Sequence, residues 1–142
     1  MNEPARLTYD VIAVGDRASF HAAVSDLLVR QFAEMSGDQS PIHTDDEYAA
    51  QTPAGQRIAH GMIAGMFFSR LVGTYLPGMY ALYLSQNITF HKPIFPGTDV
   101  AVSGEVTQKT DALQVITIAT EVRAKADNTL FVSGTALVKL LK

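Results

Sequence analysis

The chain has 142 residues, with 11 Lys and Arg against 14 Asp and Glu, and no Cys. That length suits one domain spanning 1–142 and can bury a core unaided; the missing Cys excludes disulfides, thiolate metal sites and thiol nucleophiles, and a net charge of -3 excludes the basic field of a general nucleic-acid or anionic-membrane binder. Hydrophobic residues reach 47% while charged residues stop at 18%, below the usual figure of about 25%, so apolar surface is left over for a partner subunit or an apolar ligand.

Residues 1–15 read as an extended lead-in. They carry neither a basic leader region nor an apolar one, so a cytoplasmic protein is expected. A first short strand is expected over 18–24. Ser25 then fits the N-cap of a helix running to about Met35, with Leu27, Leu28, Gln31 and Phe32 as its apolar face and Gly37 as its C-terminal glycine. A loop follows through Pro41. Thr44 with Glu47 forms a capping-box pattern that starts a short helix.

A longer helix is expected over 61–76, stopped by Pro77-Gly78. It is apolar nearly all round and therefore reads as buried. Gly61, Gly65, Ser69 and Gly73 recur every four residues and form a ridge of small side chains along which another backbone can approach. No charge interrupts 71–90, but Pro77-Gly78 and the polar run Ser85, Gln86, Asn87, Thr89 make this a helix end and a strand rather than a membrane span. Strands are expected over 80–90, 99–108, 113–123 and 129–140, separated by the turns Pro96-Gly97, Thr110-Asp111 and Ala126-Asp127-Asn128. With the first short strand these make about five antiparallel strands wrapped on one long helix, an α+β fold.

Two segments could carry chemistry. In Ser36-Gly37-Asp38-Gln39-Ser40-Pro41-Ile42-His43 a carboxylate and an imidazole lie five residues apart on a loop stiffened by proline. Such a pair suits general acid–base work on water. Taken singly, Asp38 also reads as a turn residue and His43 as a structural histidine. In Ala59-His60-Gly61-Met62 the glycine opens the long helix, where N–H groups lack intrahelical partners and can stabilise an oxyanion. A helix-packing glycine is the plainer reading there, and His60 reads as a polar group at the helix entrance. His43, Asp45, Asp46, Glu47 and His60 lack metal-ligand spacing, and helix-start electrostatics account for the acids, so neither metal nor cofactor is expected.

The run Phe32 to His43, with Ala49, the Ala59-His60-Gly61-Met62 helix start, Leu76-Pro77-Gly78 and Tyr83-Leu84-Ser85-Gln86, resembles the MaoC-like hydratases, and most of all the single-domain (R)-specific enoyl-CoA hydratases. The resemblance implies a hot-dog fold, a long central helix wrapped by a curved antiparallel sheet. It implies a homodimer with acyl-CoA sites near the interface. It also implies that Asp38 and His43 are the catalytic pair, that the Gly61 N–H binds the thioester oxygen, and that Ser69 supports the catalytic loop. Ser40 stands where the family usually has Asn. A hot-dog thioesterase and a non-catalytic acyl-CoA binding module are the rival readings; the absence of Asp and Glu from 61–76 counts against the first. Leu82, Leu84 and Ile88 are candidates for the acyl pocket, and Lys92, Arg123 and Lys125 for the CoA phosphates.

Overall fold

The computed structural model describes residues 2–142. In chain order it contains β1 (Arg17–Val24), α1 (Asp26–Ser36), α2 (Pro41–Thr44), α3 (Asp46–Ala50) and α4 (Ile63–Arg70). Leu71–Tyr75 continues α4 as π-helical turns, and β2 (Ala81–Phe90), β3 (Thr98–Thr110), β4 (Val115–Ala124) and β5 (Leu130–Leu140) complete the chain. The strands form one antiparallel sheet in the order β1-β3-β4-β5-β2, so β1 and β2 are its edges. The sheet packs on α4 and its π extension in the α+β, hot-dog arrangement.

The strands alternate as a half-covered sheet requires. Val100, Val102 and Val106 of β3, Ile116, Ile118 and Val122 of β4, and Val132, Ala136 and Val138 of β5 are buried. Against them lie Ile63, Ala64, Phe67, Phe68, Leu71 and Val72 of the helix. The approach is closest at Gly104 in β3, where a Cβ would stand 2.8 Å from Leu71 Cδ2 and 2.9 Å from Ile118 Cγ2. A side chain there would push the helix off the sheet.

Several expectations shift in detail. The lead-in has no regular element, but Tyr9 and Ile12 are buried in the core beside Val72 and Leu76. Ser25 does cap α1, its Oγ accepting from the Leu28 N–H at 3.0 Å, and Gly37 ends it at φ 76°. The buried face of α1 is Val29 and Ala33, whereas Leu27 is exposed. The cap of α3 is Asp45, not Thr44, and its side chain accepts from the Tyr48 N–H at 2.9 Å. Thr44 instead ends α2, a turn started by Pro41 within the expected loop, and its hydroxyl donates to the Ser40 carbonyl at 3.2 Å.

The central helix is covered on one side only. Met62, Met66, Ser69, Arg70 and Gly73 are exposed. The small-residue ridge also divides. Gly61 and Gly65 receive the side chains of Phe90 and Ile88 from β2, while no atom lies within 4 Å of a Cβ built at Gly73. Residues 71–90 are thus the π turns, a bend and the edge strand β2. No described helix is long and apolar enough to cross a membrane.

Candidate active site

The loop after α1 is built to stay in one conformation. Ala33, near the helix end, accepts from the Gly37 N–H at 3.0 Å and from Gln39 Nε2 at 3.1 Å. The Asp38 N–H donates to Ser36 Oγ, and Asp38 Oδ1 accepts from the Ser40 N–H, both at 3.1 Å. That local bond is the usual habit of Asp in a turn. It orients the carboxylate without burying it, and Asp38 stays exposed. Ser40 acts through its backbone, and its hydroxyl caps nothing.

His43, on α2, is half-buried. Its Nδ1 lies 2.8 Å from the Ile58 carbonyl. A carbonyl only accepts, so Nδ1 carries the proton and the neutral ring leaves Nε2 as its free lone pair. His60, 3% exposed, stacks on His43 with ring centroids 4.0 Å apart. By the same reasoning its Nε2–H donates to the Asp38 carbonyl at 3.0 Å, while its buried Nδ1 has no hydrogen-bond partner among the described residues. An Asp38 carboxylate oxygen, a His43 ring nitrogen and a His60 ring nitrogen all lie within 4.8 Å of one another. That span admits one water molecule hydrogen-bonded at about 2.8 Å to two of the groups.

These are the donors that stand close enough to share a metal ion. They differ from the five residues weighed and set aside in the sequence: Asp45 is the α3 cap and Asp46 is paired with Arg57. Within the three, one nitrogen of His43 and one of His60 are already committed to backbone carbonyls.

Gly61 stands before α4, in an opening turn closed by the Ile63 and Ala64 N–H groups on the His60 and Gly61 carbonyls. The helix proper therefore begins at Ile63, two residues later than expected. Among the described residues the Gly61 N–H donates to nothing. A Cβ at Gly61 would stand 2.7 Å from Phe90 Cε1, so only glycine leaves room for that ring. A cleft of about 400 Å³ opens here, with His43, Gly61, Met62, Phe90, Lys92 and Val132 in its wall.

The remaining expected residues are dispersed. Ser69 is exposed on the outer face of α4 and makes no hydrogen bond to the 38–43 loop. Lys92 lines the cleft. Arg123 is paired with Glu121 at 2.7 Å, and Lys125 lies outside the cleft wall. Leu82 and Leu84 point out from the edge strand and Ile88 packs on Gly65, so Phe90 rather than these three borders the site.

Arg57 was not singled out in the sequence. Its guanidinium, 16% exposed, donates to Asp26 of α1 and Asp46 of α3, each at 2.6 Å, and to the His43 carbonyl at 3.3 Å. The bond from Arg57 holds the Asp26 carboxyl below the usual carboxylate range against the opposing effect of burial. Asp46 first and Asp26 next keep the guanidinium protonated above its ordinary value. The available signal was an arginine in a loop immediately before Ile58-Ala59-His60, together with two helix-start aspartates in need of a cation.

Residues 14–128 match the family model of the MaoC like domain. The chain is 35% identical to the (R)-specific enoyl-CoA hydratase of Aeromonas caviae, over 91% of this chain and 96% of that one. It is 39% identical to a 3-hydroxybutyryl-CoA dehydratase of Methylorubrum extorquens, over 72% and 65% of the two chains. The solved (R)-hydratase of A. caviae superposes with a TM-score of 0.87 over 92% of this chain and 98% of that one. An unliganded R-hydratase of Pseudomonas aeruginosa, 34% identical, superposes with a TM-score of 0.88 over 95% and 86%.

Proposed function

This chain belongs to the MaoC-like domain family, and from that premise we propose that it is an (R)-specific enoyl-CoA hydratase. It adds water across the double bond of a trans-2-enoyl-CoA to give the (R)-3-hydroxyacyl-CoA, and it also runs the reverse dehydration. The observation that carries this reading is the grouping of an Asp38 carboxylate oxygen and a His43 ring nitrogen within 4.8 Å, beside a cleft that includes Gly61.

The chemistry follows from the groups. The thioester oxygen accepts from the free Gly61 N–H, which draws electron density from the double bond and makes C3 electrophilic. Asp38 and His43 hold one water between them. Its oxygen forms the new bond to C3 as the pair takes one of its protons, and the π electrons move toward C2 and the thioester oxygen. The Gly61 N–H stabilises that enolate charge; a donor of this kind is worth about 10²–10³ in rate. The pair then returns a proton to C2 on the same face, so one water is consumed and the site is restored. The His43–Ile58 bond presets the tautomer, so no proton rearrangement is needed before water binds.

One hot-dog domain acts as a homodimer in the cytoplasm, without a cofactor. The accessible surface of the single chain is 7955 Å², against roughly 7200 Å² for a monomer of this mass. Leu82, Leu84, Met62 and Met66 are exposed along the free β2 edge and the adjoining helix face, where a second copy would cover them. Lys92 is the cation at the cleft for a CoA phosphate.

Crotonyl-CoA is the test substrate. The enzyme should lower the enoyl absorbance and give a product that an R-specific dehydrogenase oxidises. Release of free CoA thiol with the double bond intact would make it a thioesterase. Binding without either change would make it a non-catalytic module.

A further inference from the structure

We propose that Arg57 is a positioning residue for the hydration, holding the strap 57–60 that sets the ring of His43. The inference rests on His43 being one of the catalytic pair and assigns Arg57 a part in that same site. Arg57 is not in the wall of the cleft beside Gly61, and its bond to this site runs through the His43 carbonyl.

The strap and the catalytic loop are laced together. The Ile58 N–H donates to the Ile42 carbonyl at 3.2 Å, and the Ile58 carbonyl accepts from His43 Nδ1 at 2.8 Å. His60 Nε2 donates to the Asp38 carbonyl at 3.0 Å, and the Ala59 N–H donates to the Ile94 carbonyl at 2.8 Å. Each bond is short-range and rigid only if the strap itself is held. Arg57 holds its start at three points on three elements: Asp26 on α1, Asp46 on α3, and the carbonyl of His43 itself. That carbonyl belongs to the last turn of α2, which has no intrahelical donor to receive. Arg30 also reaches Asp26 at 2.7 Å, so two guanidiniums face two carboxylates and the cluster is neutral.

A planar guanidinium can span two carboxylates and a carbonyl at once, whereas a lysine ammonium supplies one point of attachment. The Ile58 carbonyl is one residue from this anchor. Without it the carbonyl moves, His43 Nδ1 loses its fixed acceptor, and both tautomers of the ring become accessible. A displacement of about 1 Å at a catalytic group costs on the order of 10²-fold in rate.

The test uses the full-length protein with Arg57→Gln, Arg57→Lys and Asp46→Asn. Arg57→Gln should lower kcat on crotonyl-CoA on the order of 10²-fold with KM nearly unchanged, Arg57→Lys should lie between it and wild type, and millimolar guanidinium should restore part of the loss. Asp46→Asn alters an 85% exposed side chain and will fold even if the arginine variants do not; it should lower kcat several-fold at unchanged KM. Nitrogen NMR of the histidine rings, assigned by comparison with His43→Gln, supplies a readout independent of turnover. His43 should be the Nδ1–H tautomer in wild type and a mixture in Arg57→Gln or Asp46→Asn. Unchanged tautomer and unchanged kcat in folded variants would overturn the proposal, as would a loss that tracks melting temperature and resists guanidinium. If the tautomer shifts while wild-type protein hydrates nothing, the hold of Arg57 on the His43 ring stands and the hydratase reading fails.

Discussion

His43 donates its Nδ1–H to the carbonyl of Ile58 at 2.8 Å, and this one bond decides which nitrogen of the ring can act as a base. Ile58 has no reactive group and contributes by geometry alone. The same strap places His60 under the His43 ring and ties it to the backbone of Asp38. One segment, 58–61, therefore bonds the ring of His43 and the backbone of Asp38 and carries Gly61.

Gly61 needs to be glycine for a measurable reason. In Gly61→Ala the N–H survives, but the new methyl would lie 2.7 Å from the ring of Phe90. We expect the variant to fold with Phe90 displaced and to lose rate, up to the roughly 10²-fold seen when an oxyanion donor is lost. Adding Phe90→Ala should recover part of it. Steady-state kinetics on both variants check this; full activity in Gly61→Ala would show that substrate does not use this side of the turn.

Gly104 is a stability site and not a catalytic one. Its Cβ would meet Leu71 and Ile118 at under 3 Å, and overpacking of this kind costs typically 1–3 kcal/mol. Gly104→Ala should lower the unfolding free energy by that amount, and with it the denaturation midpoint, while activity per folded molecule stays near wild type. An unchanged midpoint would mean that Leu71 and Ile118 yield to a methyl group at this position.

What could be read in advance follows from how local each cause is. The Ser25 cap, the Gly37 turn and the β-branched strands depend on neighbours in sequence, and they stand where the sequence places them. The α3 cap moved by one residue because the Thr44 hydroxyl is taken by the Gln39 and Ser40 carbonyls just before α2, a turn that Pro41 starts within the expected loop. The apolar pattern of α4 concealed which side the sheet covers. Asp38, His43 and Gly61 were visible as residue types, whereas Arg57 was hidden because its partners Asp26 and Asp46 lie 31 and 11 residues away.

Stability should fall at both ends of the pH scale. The bond from Arg57 lowers Asp26, and the bond from Arg123 lowers Glu121. Their contribution is complete above the unfolded carboxylate range of about pH 4 and is lost as pH falls through the lower folded values. Burial, aided by the bond to Asp111, pushes Tyr9 up to about 12; burial also pushes Tyr83 up to about 12. That contribution is complete below the unfolded value of about 10 and is lost as pH rises toward 12. Denaturation midpoints across pH and a phenolate absorbance titration test both limbs. Ionisation of all 5 Tyr together near pH 10 would contradict the alkaline one.

The uncovered edge of β2 predicts self-association. Light scattering coupled to sizing should give twice the 15.4 kDa chain mass, and Leu84→Lys together with Met66→Glu should reduce it. A wild-type monomer would leave the apolar face of α4 and β2 without an occupant.

The central claim is that Asp38 and His43 act as one water-activating unit. The most direct measurement is kcat on crotonyl-CoA for Asp38→Asn, His43→Gln and the double variant, each shown to be folded by circular dichroism. Each single variant should lose about 10²–10⁴-fold, with little further loss when the two are combined. Single variants that retain the wild-type rate would contradict it.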